Sequence, residues 1–109
     1  MVKPEALEKF TSLLGPQRVK TAKEDLLTYS YDAFIAEYAP EAVVFPQTTA
    51  EVAEIMKSAS ANRVFITPRG SGSGLSAAAL AKEGGVMVCF TMMNRILEIN
   101  TANRYAVLE

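Results

Sequence analysis

The sequence predicts an α+β domain of α/β character, running β–α–β–loop–β–β–β through its second half, and three observations carry that expectation. Short apolar runs at Ala42–Pro46, Val64–Thr67 and Val86–Phe90 are bounded by proline, glycine or charged residues, as buried strands are. An amphipathic stretch, Thr48–Arg63, separates the first two runs. A glycine-rich run, PRGSGSGLSA from Pro68 to Ala77, separates the second from the third.

Taken in order, KPEALEKFTSLLG predicts a short amphipathic helix. Pro4 suits its first turn, Leu7, Phe10, Leu13 and Leu14 share a face, and Gly15 stops it. Residues 16–40 are mixed. One helical turn is expected around Ala22–Leu27, followed by irregular chain whose Tyr29, Tyr31, Phe34 and Tyr38 are expected to anchor it to the core. Residues 1–40 thus form a helical and irregular lead-in, and 41–109 the main subdomain. AVVFP is a short strand stopped by Pro46. In TTAEVAEIMKSASANR, Thr48 and Glu51 have capping-box spacing, and Val52, Ile55, Met56 and Ala59 recur at helical intervals. VFIT is the second strand, reached by a right-handed crossover. LSAAALAKEGG offers at most two helical turns closed by Gly84 and Gly85, and VMVCF, ILEIN and YAVLE are three further strands. Met92 and Met93 are expected to serve packing. The last strand runs to the final residue, Glu109, as a truncated protein would.

Bulk properties narrow the function. The chain has 109 residues, half of them apolar, enough for one small domain or a piece of a larger one. A formal net charge of −1 with scattered Lys and Arg argues against an extended nucleic-acid footprint. The single cysteine, Cys89, sits in an apolar run, so no disulfide framework is expected and a reducing, cytoplasmic compartment is the default. No apolar run approaches the ~20 residues of a membrane span, and the start lacks a signal-peptide core. The absence of histidine removes the commonest general base and the commonest metal ligand together, so neither a catalytic group nor a metal site is expected.

The chemistry is in the glycine run. Gly70, Gly72 and Gly74 permit φ > 0 and close backbone approach, and successive N–H groups in such a turn form a concave nest for anionic oxygens. Ser71, Ser73 and Ser76 add hydroxyl donors, and Arg69 adds a forked cation. No nucleophile has a base beside it, so the loop binds and does not react. The competing possibility is a plain surface turn with a solvated Arg69. A P-loop is excluded because no lysine follows the glycines. A dinucleotide fingerprint can be laid on Gly72, Gly74 and Ala77, but the helix after it is too short and the next strand ends in Thr91, not an acid. A nucleotide- or anion-binding module without redox chemistry remains open.

From Glu41 to Glu109 the chain resembles the FAD-binding fold shared by vanillyl-alcohol oxidase and p-cresol methylhydroxylase. Within that family it is similar to the glycolate oxidase flavoprotein subunit and the FAD-linked D-lactate dehydrogenases. YSYDAF resembles the lead-in, EAVVFPQTTAEVAEIMKSASANRVFITPRGSGSGLS the strand–helix–strand and pyrophosphate loop, and GGVMVCFTMMNRILEIN the following strand and connection. The resemblance implies the first, pyrophosphate-binding half of a two-subdomain FAD-binding domain. On it, Arg69, Gly70, Ser71, Gly72, Ser73, Gly74 and Ser76 fall on the cofactor-contacting loop. Pro68 fixes φ where the strand turns into that loop, and Leu75 is expected to pack inward. The resemblance implies a parent that is a flavin-dependent 2-hydroxy-acid oxidoreductase, without a transmembrane segment here but able to reach a membrane through other oxidase subunits. Its catalytic groups would lie beyond Glu109, so this segment alone should be inactive. There are two departures from the family pattern. Ala77 and Ala78 stand where the family has glycines. Ser73 stands where some relatives carry a flavin-linking histidine, which implies a non-covalent FAD.

Overall fold

In the computed structural model, which describes residues 1–34 and 36–109, the chain begins with helix α1 at Pro4–Leu14. Pro4 opens it where no N–H is needed, and Gly15 at φ 87° closes it, its N–H donating to Thr11 O at 2.8 Å. Ala6, Phe10 and Leu14 form the buried stripe, while Leu13 turns to the surface. A 3-10 turn, Pro16–Arg18, leads into strand β1 at Val19–Lys20, and helix α2 follows at Lys23–Leu27. Strand β1 lies where the sequence pattern predicts none.

Strand β2 (Ala42–Val44), helix α3 (Thr49–Asn62), strand β3 (Ile66–Arg69) and strand β4 (Val86–Cys89) complete a four-stranded sheet in the order β1-β2-β4-β3. Strands β2, β4 and β3 are parallel, with Val43 opposite Met87 and Pro68 opposite Val88, and β1 runs antiparallel to β2. Alternation sorts the side chains. Ala42, Val44, Val86 and Val88 pack with Phe10 and Leu14 of α1 and Ile55 and Ala59 of α3. On the other face Val43, Phe45, Met87 and Cys89 pack with Ala81, Leu26 and Tyr29. Burial on both faces is why AVVFP and VMVCF read as unbroken apolar runs.

Thr48 caps α3 as its spacing predicts, Oγ1 accepting from Glu51 N at 3.1 Å. The Glu51 carboxylate reaches Gln47 N at 2.7 Å and pairs with Arg18 through Nη1–Oε2 at 2.8 Å and Nη2–Oε1 at 2.9 Å. Arg18 also donates to Leu14 O and Phe45 O. One guanidinium therefore joins the end of α1, the end of β2 and the start of α3. The Arg18 bonds lower the Glu51 pKa from 4.5 to about 2, against the burial that would raise it.

Several expectations change. The second strand is Ile66–Arg69, not Val64–Thr67: Arg63 turns left-handed at φ 52° to end α3, Val64 N returns to Ala59 O, and pairing with β4 starts at Ile66. LSAAALAKEGG forms turns, not helix, because Ala77 at φ 58° cannot propagate a right-handed helix. ILEIN and YAVLE become strands β5 (Ile96–Asn100) and β6 (Tyr105–Leu108). Among the described residues they pair with each other as an exposed antiparallel hairpin and do not join the sheet. Of the four anchoring aromatics, Tyr29 is half-buried, but Tyr31, Phe34 and Tyr38 are exposed, as are Met56 and Met92. Tyr29 is thus the one ring of the four that packs on the core, and main-chain groups of Tyr31 and Ala33 make the other contacts described below.

Candidate functional site

The segment Gly70–Gly85 leaves β3 at the carboxyl end of the parallel strands and returns across the Val43–Met87 face, where Leu80 and Ala81 are buried, to enter β4. In open parallel sheets, ligands settle outside those carboxyl ends. Pro68 and Arg69 belong to the strand: Arg69 lies opposite Cys89, and Phe90 N donates to Arg69 O at 2.9 Å. Pro68 is exposed on the edge strand, a position where a missing N–H is tolerated.

Sequence reasoning aims the Arg69 guanidinium at an anion, but the structure turns it inward. The residue is 7 % exposed. Nη1 donates to Tyr31 O at 2.8 Å and to Ala79 O at 3.4 Å, and Cζ lies 5.6 Å from the centre of the Tyr29 ring. Tyr29 in turn stands edge-on to Phe45, with centroids 5.8 Å apart. Burial raises the Tyr29 hydroxyl pKa, with Cys89 adding to the shift and Arg69 opposing it. Gly72, at φ 75°, lies across the guanidinium, and a Cβ there would collide with Arg69 Nη2 and Cζ. The cation braces the loop from beneath.

Backbone and hydroxyls face outward. Gly70, Ser71, Ser73, Gly74 and Ser76 are exposed, and the Ser71 and Ser73 hydroxyls sit 3.0 Å apart. A Cβ on Gly70 or Gly74 would meet nothing within 4 Å. Packing within the chain therefore does not require these two glycines. Their missing side chains leave the loop open to a ligand at hydrogen-bonding distance. Gly74 O accepts from Ala33 N at 3.2 Å, which fixes the middle of the loop. Leu75, expected to pack inward, is instead 74 % exposed. Ala77 occupies the left-handed region despite its Cβ.

The sequence pattern did not assign Tyr31 and Ala33 to this site. Each contributes a main-chain group, and such groups leave no side-chain signature; the nearest signal was the tyrosine-rich composition of YSYDAF. From Gly70 to Ala79 no residue is a base or a cation. The arrangement can hold an oxygen-rich anion but cannot transfer a proton.

Comparison with known proteins places the chain in a family. The family described as FAD binding domain matches residues 40–109. D-2-hydroxyglutarate dehydrogenase from Stutzerimonas stutzeri is 38% identical over 111 aligned positions, covering 100% of this chain and 24% of the relative. Glycolate oxidase subunit GlcD from Bacillus subtilis is 36% identical over 111 positions, covering 100% and 23%. Among solved structures, p-cresol methylhydroxylase with substrate bound superposes with a TM-score of 0.84 at 28% identity, over 96% of this chain and 21% of that one. The chain spans about a quarter of the length of these curated relatives. Among the described residues, no helix is long and apolar enough to cross a membrane.

Proposed function

The chain belongs to the FAD binding domain family, and from that membership we propose that its glycine–serine loop holds the pyrophosphate of a non-covalently bound FAD. Gly70, Ser71, Gly72, Ser73, Gly74 and Ser76 form the cradle, and Pro68 and Arg69 present it. The observation that carries this reading is the loop's outward face, which is bare backbone and hydroxyls, with open space where Gly70 and Gly74 lack a Cβ. The fit is chemical as well as steric: N–H and O–H donors suit phosphate oxygens, and no carboxylate lies on the loop between Arg69 and Ala79 to repel them. The chain's lack of histidine supports a non-covalent flavin.

The parent protein is a flavin-dependent 2-hydroxy-acid oxidoreductase, and this chain is its pyrophosphate-binding N-terminal part. The glycolate oxidase and D-2-hydroxyglutarate dehydrogenase relatives support that substrate class. Bound FAD supplies the two-electron acceptor chemistry; the residues of this chain bind and orient it. Alone, the segment is catalytically silent. The parent works in the cytoplasm, a setting that suits a free, buried Cys89, with other oxidase subunits as its partners.

Flavin content of the full-length protein tests this. Purified protein should be yellow, and acid precipitation should release its flavin into the supernatant. Gly70→Val and Gly74→Val should each lower FAD affinity ~10-fold or more, because the new side chain fills only ligand space. Glycolate, D-lactate or D-2-hydroxyglutarate should bleach the flavin anaerobically. Colourless protein that ignores added FAD refutes the proposal and points to a non-redox anion-binding module.

A further inference from the structure

Resting on the reading of the loop as the FAD pyrophosphate site, we propose that the segment Tyr29–Ala33 is a working part of that site. It lies outside the matched family region, 40–109, and it holds the loop, through Arg69, in its binding conformation before the cofactor arrives. Arg69 is thereby a positioning residue and not a phosphate ligand.

The grip is distributed along the whole loop. At its start, Arg69 Nη1 donates to Tyr31 O at 2.8 Å. In its middle, Gly74 O accepts from Ala33 N at 3.2 Å. Toward its exit the same Nη1 reaches Ala79 O at 3.4 Å. Beneath these bonds the Tyr29 ring faces the guanidinium with 5.6 Å between Cζ and centroid. Among the described residues no carboxylate forms an ion pair with Arg69. Its charge is met by carbonyl dipoles and an aromatic face, so the cation's potential is not cancelled near a loop built for an anion.

The glycines divide by role. Gly72 is glycine because the guanidinium occupies its Cβ space, whereas the Cβ space of Gly70 and Gly74 is open. The first belongs to the brace and the other two to the ligand. A lysine cannot replace the brace, because a compact ammonium lacks the planar guanidinium that lies against the Tyr29 ring while its Nη1 bonds both carbonyls. Holding the loop in its bound shape beforehand spares the ordering cost that would otherwise weaken binding.

The test uses the full-length protein, stripped of flavin and reloaded, with Arg69→Met, Arg69→Lys and the milder Tyr29→Leu. Two quantities are measured: amide hydrogen exchange of the peptide spanning 70–79 in the flavin-free protein, and FAD affinity by flavin fluorescence. Both Arg69 variants should speed flavin-free exchange ~10-fold or more, and Tyr29→Leu about 3-fold. Arg69→Lys should weaken FAD to within about 3-fold of Arg69→Met, since keeping the charge does not keep the brace. If exchange is unchanged while FAD affinity falls, or if Arg69→Lys binds FAD as the wild type does, the inference is overturned and the guanidinium acts directly on phosphate or not at all. Should the Arg69 variants not fold, Tyr29→Leu decides alone, and unchanged exchange there overturns it. Gly70→Val and Gly74→Val separate the two readings: if they also leave FAD bound, the loop is not the cofactor site; if they release it, only the positioning role has failed.

Discussion

Gly72→Ala measures how tightly the loop is wrapped around Arg69. The native φ of 75° lies in the left-handed region, where a side chain costs roughly 1–2 kcal/mol. The new methyl would also displace the guanidinium, since Nη2 and Cζ occupy its place. Displacement breaks the bond to Tyr31 O, and a hydrogen bond made by a charged group is worth about 1.5–3 kcal/mol. Part of that is recovered because a flexible arginine can swing into solvent. The net destabilisation should be about 3 kcal/mol. In an Arg69→Met background the clash with the fork is gone and only the backbone term remains, about 1.5 kcal/mol. Urea unfolding followed by circular dichroism, on all four members of the cycle, gives the coupling directly. With a slope near ~2 kcal/mol per molar, Gly72→Ala should lower the midpoint by about 1.5 M in the wild-type background and about half that in the other. A coupling below about 0.5 kcal/mol would mean that Gly72 does not pack on Arg69 and would refute the reasoning.

Other substitutions probe the scaffold around the site. Glu51 has its pKa lowered from 4.5 to about 2, so its contribution is complete above pH 4.5 and is lost as pH falls from there toward 2. Glu51→Gln should remove up to about 3 kcal/mol at neutral pH and flatten that acid limb, measured by urea midpoints at pH 7, 4 and 3. Gly85→Ala places a methyl, at φ 76°, against the Phe65 carbonyl that accepts from Val86 N. It should cost about 3 kcal/mol or more by thermal melting, well beyond Gly84→Ala, whose methyl meets the Glu41 Oε2 at 3.1 Å. Ala77→Gly should stabilise by about 0.5–1 kcal/mol: relief of the left-handed strain exceeds the added freedom of the unfolded chain. A lower urea midpoint in that variant would show that the turn does not demand the conformation.

Legibility in the sequence tracked how local each determinant was. The capped start of α3 was readable because Thr48 and Glu51 act on each other across one turn. AVVFP and VMVCF were readable because a parallel strand covered on both faces has no polar side to interrupt it. By contrast, β1 was hidden: two residues, Val19 and Lys20, become a strand only because the edge of β2 lies beside them. The offset of β3 was hidden too, because its start is set by pairing with Val86 and not by the apolarity of Val64 and Phe65. Ala77 looked like helix, the state alanine favours most, until the loop's path forced it left-handed.

By itself, then, the sequence determined the order β2–α3–β3–loop–β4, the position of a glycine–serine loop directly after a strand, and that loop's lack of reactive groups. These depend on periodicity, on turn chemistry and on which side chains are present at all. Only the tertiary structure decided which way the loop's one cation faces. A guanidinium beside three glycines can serve a ligand or the protein, and composition is the same in both cases. The choice rests on carbonyls contributed by Tyr31, 38 positions earlier in the chain, and by Ala79, which converge on Nη1 only when the sheet and the lead-in are packed together.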